Sequence, residues 1–190
     1  MTSESIPARL TFADFMALPE GPGLELIDGV LTVTPSPGRY HQALVRRLTI
    51  ALGHFVEQHQ LGFLYPAPFD VYLRKEDPAL VVQPDLTFIS HARASCLEDR
   101  GMAGAPDLVV EIVSPANPGR DTVRKRRYYE QFGVEEYWLV LPDLEQVQVL
   151  RREGDDYGRP QVFQPGDEVT TAVLPGFGLS VTKLFEPKGA

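Results

Sequence analysis

The sequence predicts an α/β protein, a single domain built on a mixed β-sheet flanked by helices, with an N-terminal hairpin and extra C-terminal strands. Three observations carry this. Residues 107–141 read as strand, helix, strand, a crossover unit that favours parallel pairing of its two strands. Two short apolar runs, 24–27 and 30–33, flank Asp28-Gly29, a dipeptide suited to a type I′ turn, so antiparallel pairing is expected as well. From Arg39 to Gln60, Leu44, Val45, Leu48, Leu52, Phe55 and Val56 recur at three- and four-residue steps, which marks one face of a long helix.

The other elements follow in chain order. Thr11 with Asp14 is a helix start, and Phe12, Phe15, Met16 and Leu18 give that short helix an apolar side. Pro35-Ser36-Pro37-Gly38 ends the hairpin unit. Strands are expected near 62–66, 69–73 and 81–89, separated by Pro66 and Pro68 and then by a polar loop containing Asp77-Pro78; residues 91–105 read as irregular. The apolar run 108–113 is a strand closed by Ser114-Pro115. Asn117-Pro118-Gly119 leads into a helix over about 120–132, with Gly133 fitting its C-terminal cap. Strands at 137–141 and 147–150 flank Pro142-Asp143, and shorter ones are expected around 161–164 and 169–173 before a core-capping segment from Leu179 to Phe185.

Size and composition narrow the function. The 190 residues suffice for one domain with a hydrophobic core, and 43% hydrophobic with 23% charged residues is ordinary for a globular protein. No apolar run approaches the roughly 18 residues of a membrane span, and the N-terminal residues lack the pattern of a signal peptide. A cytoplasmic protein without membrane partners is the expectation. Cys96 is the single cysteine and His41, His54, His59 and His91 are scattered, so no zinc spacing exists. The net charge of −8 argues against a protein that coats nucleic acid nonspecifically, yet leaves room for local contact through one basic patch.

The informative feature is chemical. Glu111 stands alone inside Leu108-Val109-Val110-Glu111-Ile112-Val113, a run that reads as a strand covered on both faces. A carboxylate there loses hydration and needs protonation, a basic partner or a metal ion. Asp85 occupies the same kind of setting within 81–89. Two such acids in proximity repel, and a divalent cation between them converts repulsion into a binding site. The plainer alternative is an exposed strand end or an arginine partner for either acid.

A basic helix follows the Glu111 strand: Arg120-Asp121-Thr122-Val123-Arg124-Lys125-Arg126-Arg127-Tyr128-Tyr129. Helical spacing puts Asp121, Lys125 and Tyr128 or Tyr129 on one face. A lysine beside a metal site can serve as a general base or stabilise charge on a phosphate, and Arg124, Arg126 and Arg127 can grip phosphates. A solvated helix with a surface Asp121–Lys125 pair is the plain alternative.

These residues resemble the PD-(D/E)XK restriction-endonuclease-like nucleases, and more closely a large, much-expanded bacterial family of inferred endonucleases once filed as a domain of unknown function. The matching pieces are Glu25-Leu26-Ile27-Asp28-Gly29, His41 at the start of the long helix, Gln83-Pro84-Asp85, and Val110-Glu111-Ile112-Val113-Ser114-Pro115. Asp121 with Lys125 and Tyr129, then Gly133-Val134 with Glu136-Tyr137-Trp138, complete the set, and the match covers most of residues 10–185. The resemblance implies a restriction-endonuclease-like fold and hydrolysis of DNA phosphodiesters with Mg²⁺ or Mn²⁺. Asp85, Glu111 and the Ile112 carbonyl would hold the metal, with Glu25 as a third acid and Lys125 as the catalytic lysine. DNA would be contacted by His41, Arg120, Asp121, Arg124, Arg126, Arg127 and Tyr129.

One departure stands out. Where the superfamily's Glu-x-Lys places its lysine, this chain has Val113, so Lys125 must reach the site from the following helix. The alternative function is a nucleic-acid-binding or assembly module on the same fold with weak or lost catalysis. A homodimer or higher homo-oligomer is a further expectation, with Trp138 and Phe177 as candidate contacts.

Overall fold

The computed structural model describes residues 9–114 and 120–186. Ser114 therefore ends one described segment; Pro115 and the Asn117-Pro118-Gly119 lead-in fall outside, as do the side chains of Arg120 and Asp121.

The N-terminal part opens with α1 (Phe12–Met16), whose Thr11 and Asp14 form a reciprocal capping box. The hairpin is β1 (Leu24–Ile27) and β2 (Val30–Val33), paired antiparallel across Asp28 and Gly29 at φ 50° and 80°. Two positive φ values are what a type I′ turn requires. Next come α2 (Arg39–Gln58), β3 (Gly62–Pro66), β4 (Asp70–Arg74), β5 (Leu80–Val82) and β6 (Leu86–Ser90).

The expected single strand over 81–89 is two strands, and the break has a cause. Pro84 has no N–H to donate, and the Gln83 N–H goes to a side chain, the Glu25 carboxylate. The chain leaves one sheet after Val82 and enters another at Leu86. The stretch 91–105, read as irregular, contains a 3₁₀ turn (His91–Cys96) and two short strands, β7 (Leu97–Glu98) and β8 (Gly101–Ala103), which pair with each other; β8 also pairs with β4. Strands of two and three residues leave no periodicity to read.

The crossover unit is β9 (Leu108–Ile112), α3 (Arg120–Phe132) and β10 (Glu136–Leu141), with β9 and β10 parallel as expected. Gly133, at φ 84°, caps α3 by donating to the Tyr129 carbonyl. The chain ends with β11 (Gln146–Glu153), β12 (Asp156–Tyr157), β13 (Gln161–Phe163), β14 (Glu168–Thr170), β15 (Gly178–Ser180) and α4 (Val181–Phe185).

Among the described residues the strands form two large sheets and a small one. A six-stranded sheet runs β2-β1-β5-β4-β8-β7; a seven-stranded sheet runs β12-β11-β10-β9-β6-β3, with β13 also on β11; β14 pairs β15. Side-chain alternation divides the seven-stranded sheet. Leu108, Val110 and Ile112 pack with Leu44, Leu48, Leu52 and Val56 of α2. Val109 and Tyr137 face the other way, toward Tyr129 of α3 and toward Val71, Leu80 and Val82 of the six-stranded sheet. Glu111, two residues from Val109, shares that second face. The long helix and the shorter helix thus cover opposite faces.

Trp138 and Phe177 are buried at 0% and 5% exposure in the core against α2, which removes them as candidate subunit contacts. No helix among the described residues is long and apolar enough to cross a membrane.

Candidate active site

Strand pairing brings the two isolated acids together. Leu86 pairs Val110 in the antiparallel β6–β9 ladder, so the next step of the register sets Asp85 opposite Glu111. Asp85 lies just past the end of the β6 ladder, where its Oδ2 accepts from the Ile112 N–H at 2.7 Å. A side chain there takes the place of a backbone ladder bond.

Glu25 enters from β1 of the other sheet. Its Oε1 accepts from the Gln83 N–H at 2.9 Å and lies 2.8 Å from Lys125 Nζ. The same Nζ lies 3.0 Å from Glu111 Oε1, which also accepts from the Tyr129 hydroxyl at 2.6 Å. Lys125 and Tyr129 act together because four residues on a helix return to the same face. Lys125 therefore reaches the acids from α3, with Val113 at the place a superfamily lysine would occupy. His41, in the first turn of α2, puts Nε2 3.2 Å from Asp85 Oδ2.

These groups wall a cleft of about 330 Å³ at the edge of both sheets, whose lining includes Glu25, His41, Asp85, Glu111, Ile112 and Lys125. Its rim carries residues 34–37 between β2 and α2. Gly23, also lining it, sits at φ 75° with its Cα so close to Thr34 that a side chain would meet the Thr34 carbonyl at 2.6 Å.

Charge is arranged unevenly. Burial pushes the Glu111 carboxyl up to about 7; Lys125 opposes this, Asp85 and Glu25 add to it, and the Tyr129 hydrogen bond opposes it. Burial alone would lower the Lys125 ammonium, but Glu111 and Glu25 outweigh it and hold it above its ordinary value. The lysine is firmly charged, and Glu111, one of the two acids it contacts, is held back from ionising by burial. Burial would likewise lower the His41 imidazole, yet the hydrogen bond and charge of Asp85, with the Ile112 backbone and Glu111, raise it.

The remaining expected residues are spread out. Arg124 and Arg127 are exposed on α3, Arg126 is half-buried, and Tyr129 is buried against Glu111 rather than open to a ligand. Tyr128 turns away to donate to Asp28 Oδ2 at 2.6 Å. Sequence reasoning missed the part played by Gln83. Its side chain donates to Asp70 Oδ1 at 2.7 Å and accepts from the Gly23 N–H at 2.8 Å, while its N–H holds Glu25. A polar residue following an apolar strand and preceding Pro-Asp was the available signal.

The donor chemistry suits a hard divalent cation. Asp85 Oδ1 and Glu111 Oε2 accept no hydrogen bond among the described residues, and the Ile112 backbone lies beside them. No three His, Cys, Asp or Glu side chains among the described residues already form a metal-holding cluster. What the cleft could offer such a cation is two carboxylates, which Mg²⁺ or Mn²⁺ would supplement with backbone oxygen and water.

A mixed sheet between two helices, with acids from adjacent strands and a lysine from the crossover helix at one cleft, is a nuclease-like α/β architecture. The chain belongs to the family described as "Uma2: Putative restriction endonuclease", whose model matches residues 12–182. Among solved structures it is similar to a "putative nuclease belonging to DUF820" from Anabaena variabilis, at 23% identity and a TM-score of 0.77, covering 93% of this chain and 97% of that one. No curated protein matches the chain.

Proposed function

We propose that the protein is a divalent-metal-dependent DNA endonuclease whose cleft is the site of phosphodiester hydrolysis. The observation that carries this is the placement of Lys125 Nζ at 2.8 and 3.0 Å from Glu25 and Glu111, with Asp85 opposite Glu111 on the adjoining strand. A binding surface has no need to gather three acids and a lysine at one cleft, two of the acids in direct contact with that lysine.

Asp85, Glu111 and the Ile112 carbonyl would hold the cation. Bound there, it would neutralise charge on the phosphate and acidify a water. Water adds to phosphorus, and one ester oxygen leaves with a proton. Glu25 and Glu111 keep Lys125 charged, so its part is to stabilise the growing negative charge of the phosphate rather than to remove a proton. Tyr129 fixes Glu111, and the Gln83 N–H fixes Glu25. The exposed Arg124 and Arg127 hold the flanking DNA backbone.

The test is calorimetric titration with Mn²⁺ of wild type and Asp85→Asn, paired with cleavage of plasmid DNA in Mg²⁺. Saturable binding and cleavage, both lost in the variant, are expected. Metal-independent DNA binding without cleavage would favour instead a nucleic-acid-binding or assembly module on the same fold.

A further inference from the structure

Three tyrosine rings lie in a row, Tyr129 on α3, Tyr137 on β10 and Tyr157 on β12. The Tyr129 ring lies 5.2 Å from that of Tyr137 at an interplanar angle of 52°, and Tyr137 lies 6.3 Å from Tyr157 at 29°. Their hydroxyls are treated differently. That of Tyr129 donates to Glu111 Oε1, whereas those of Tyr137 and Tyr157 are buried and find no partner among the described residues. Buried hydroxyls nearly always have partners, so an orphan calls for a reason.

Tyr157 lies away from the cleft, but Tyr137 helps to line it and is 0% exposed. Leu139 is the register partner of Glu111 on the parallel strand, so Tyr137, two residues earlier, is a diagonal neighbour on the same face. After burial, the Glu111 charge is the strongest influence on its phenol. Glu111 has the complementary vacancy: Oε1 accepts from both Lys125 and Tyr129, while Oε2 accepts nothing among the described residues. Among the described residues, a donor without an acceptor thus lies one diagonal step from a carboxylate oxygen without a donor.

We propose that Tyr137 is a positioning residue for Glu111, its hydroxyl being a reserve donor that engages the carboxylate once a bound cation draws it away from Lys125. This rests on the reading of Glu111 as part of a cation site. In the cation-free state the hydroxyl contributes nothing to folding; in the loaded state it fixes the orientation of Glu111.

The two states give the inference a clean test in thermal melting and Mn²⁺ calorimetry of wild type, Tyr137→Phe and Tyr129→Phe. Without Mn²⁺, Tyr137→Phe is expected to melt within about 1 °C of wild type or above it, because an unpaired buried hydroxyl is removed, while Tyr129→Phe melts lower. Tyr137→Phe should nevertheless bind Mn²⁺ about tenfold more weakly, the usual weight of one hydrogen bond to a charged group. Wild-type affinity in Tyr137→Phe overturns the inference, and so does a clearly lowered melting temperature, which would mean that the hydroxyl already has a structural partner. If wild type binds no Mn²⁺, the cation reading itself fails and takes this inference with it.

Discussion

Glu111, with 14% of its side chain exposed, and the buried Glu136 are acids on neighbouring strands of one sheet, and they have opposite surroundings. Glu136, 1% exposed, is saturated: Oε1 accepts from Trp138 Nε1 at 2.6 Å, and Oε2 from Arg151 Nε at 3.1 Å and the Ala172 N–H at 3.0 Å. Those donors belong to β10, β11 and the segment after β14, so the carboxylate pins the C-terminal tail to the sheet. Among the described residues Glu111 has two donors crowded on one oxygen and none on the other, and it faces a cleft. Burial of an acid therefore does not identify a site. What distinguishes the two is unspent hydrogen-bonding capacity aimed at open space.

The largest test of this contrast replaces each acid in turn. Glu111→Gln is expected to lower DNA cleavage about a thousandfold or more with little change in melting temperature. Glu136→Ala should cost about 3 kcal/mol in urea unfolding, because it strands the Trp138 and Ala172 donors and frees Arg151, while leaving Mn²⁺ affinity unchanged. Cleavage by Glu111→Gln at the wild-type rate, or absent metal binding in Glu136→Ala, would break the distinction.

Lys125→Ala sharpens it from the other side. Removing the ammonium should lower turnover about a hundredfold, yet Mn²⁺ should bind as tightly or more tightly, because a competing cation has left two carboxylates. Weaker Mn²⁺ binding in this variant would show the lysine organising the acids rather than serving the phosphate. A smaller effect is expected of Arg124→Ala with Arg127→Ala: DNA affinity falls and the slope of log K against log salt flattens by up to about 2, near one unit for each phosphate no longer neutralised.

Asp70 is another buried acid, 6% exposed and partnered by Gln83, and it gives the smallest effect. Burial raises its carboxyl above the ordinary 3.8, so between that value and the raised one the folded chain holds a proton that the unfolded chain has released. Its contribution to stability accordingly falls as pH rises from that value. Asp70→Asn, whose amide oxygen still accepts from Gln83, should flatten this limb in chemical unfolding measured across acidic pH; an unchanged slope would assign it to another group.

The sequence displayed local features and hid those that depend on partners. The Asp28-Gly29 turn, the α2 stripe and the β9–α3–β10 crossover were legible because turn chemistry and periodicity are local. The break at Gln83-Pro84 was not: 81–89 is apolar enough for one strand, and the split depends on Glu25, some sixty residues earlier, capturing the Gln83 N–H. Trp138 was open to misreading because burial is a property of the α2 packing rather than of its own neighbours in sequence. At the site, Asp85, Glu111 and Lys125 were visible as polar residues in informative settings. The orphan Tyr137 hydroxyl was not, since a tyrosine in an apolar strand looks like ordinary core.

Consecutive tyrosines on α3 reach different sheets: Tyr128 holds Asp28 of the six-stranded sheet's hairpin, and Tyr129 holds Glu111 of the seven-stranded sheet. Lys125 repeats that span, from Glu25 to Glu111. The helix is a rivet across a joint, and the acids lie along the joint itself. The spacing of Glu25 and Glu111, and with it the shape of the cleft, is therefore set by how the two sheets are held together.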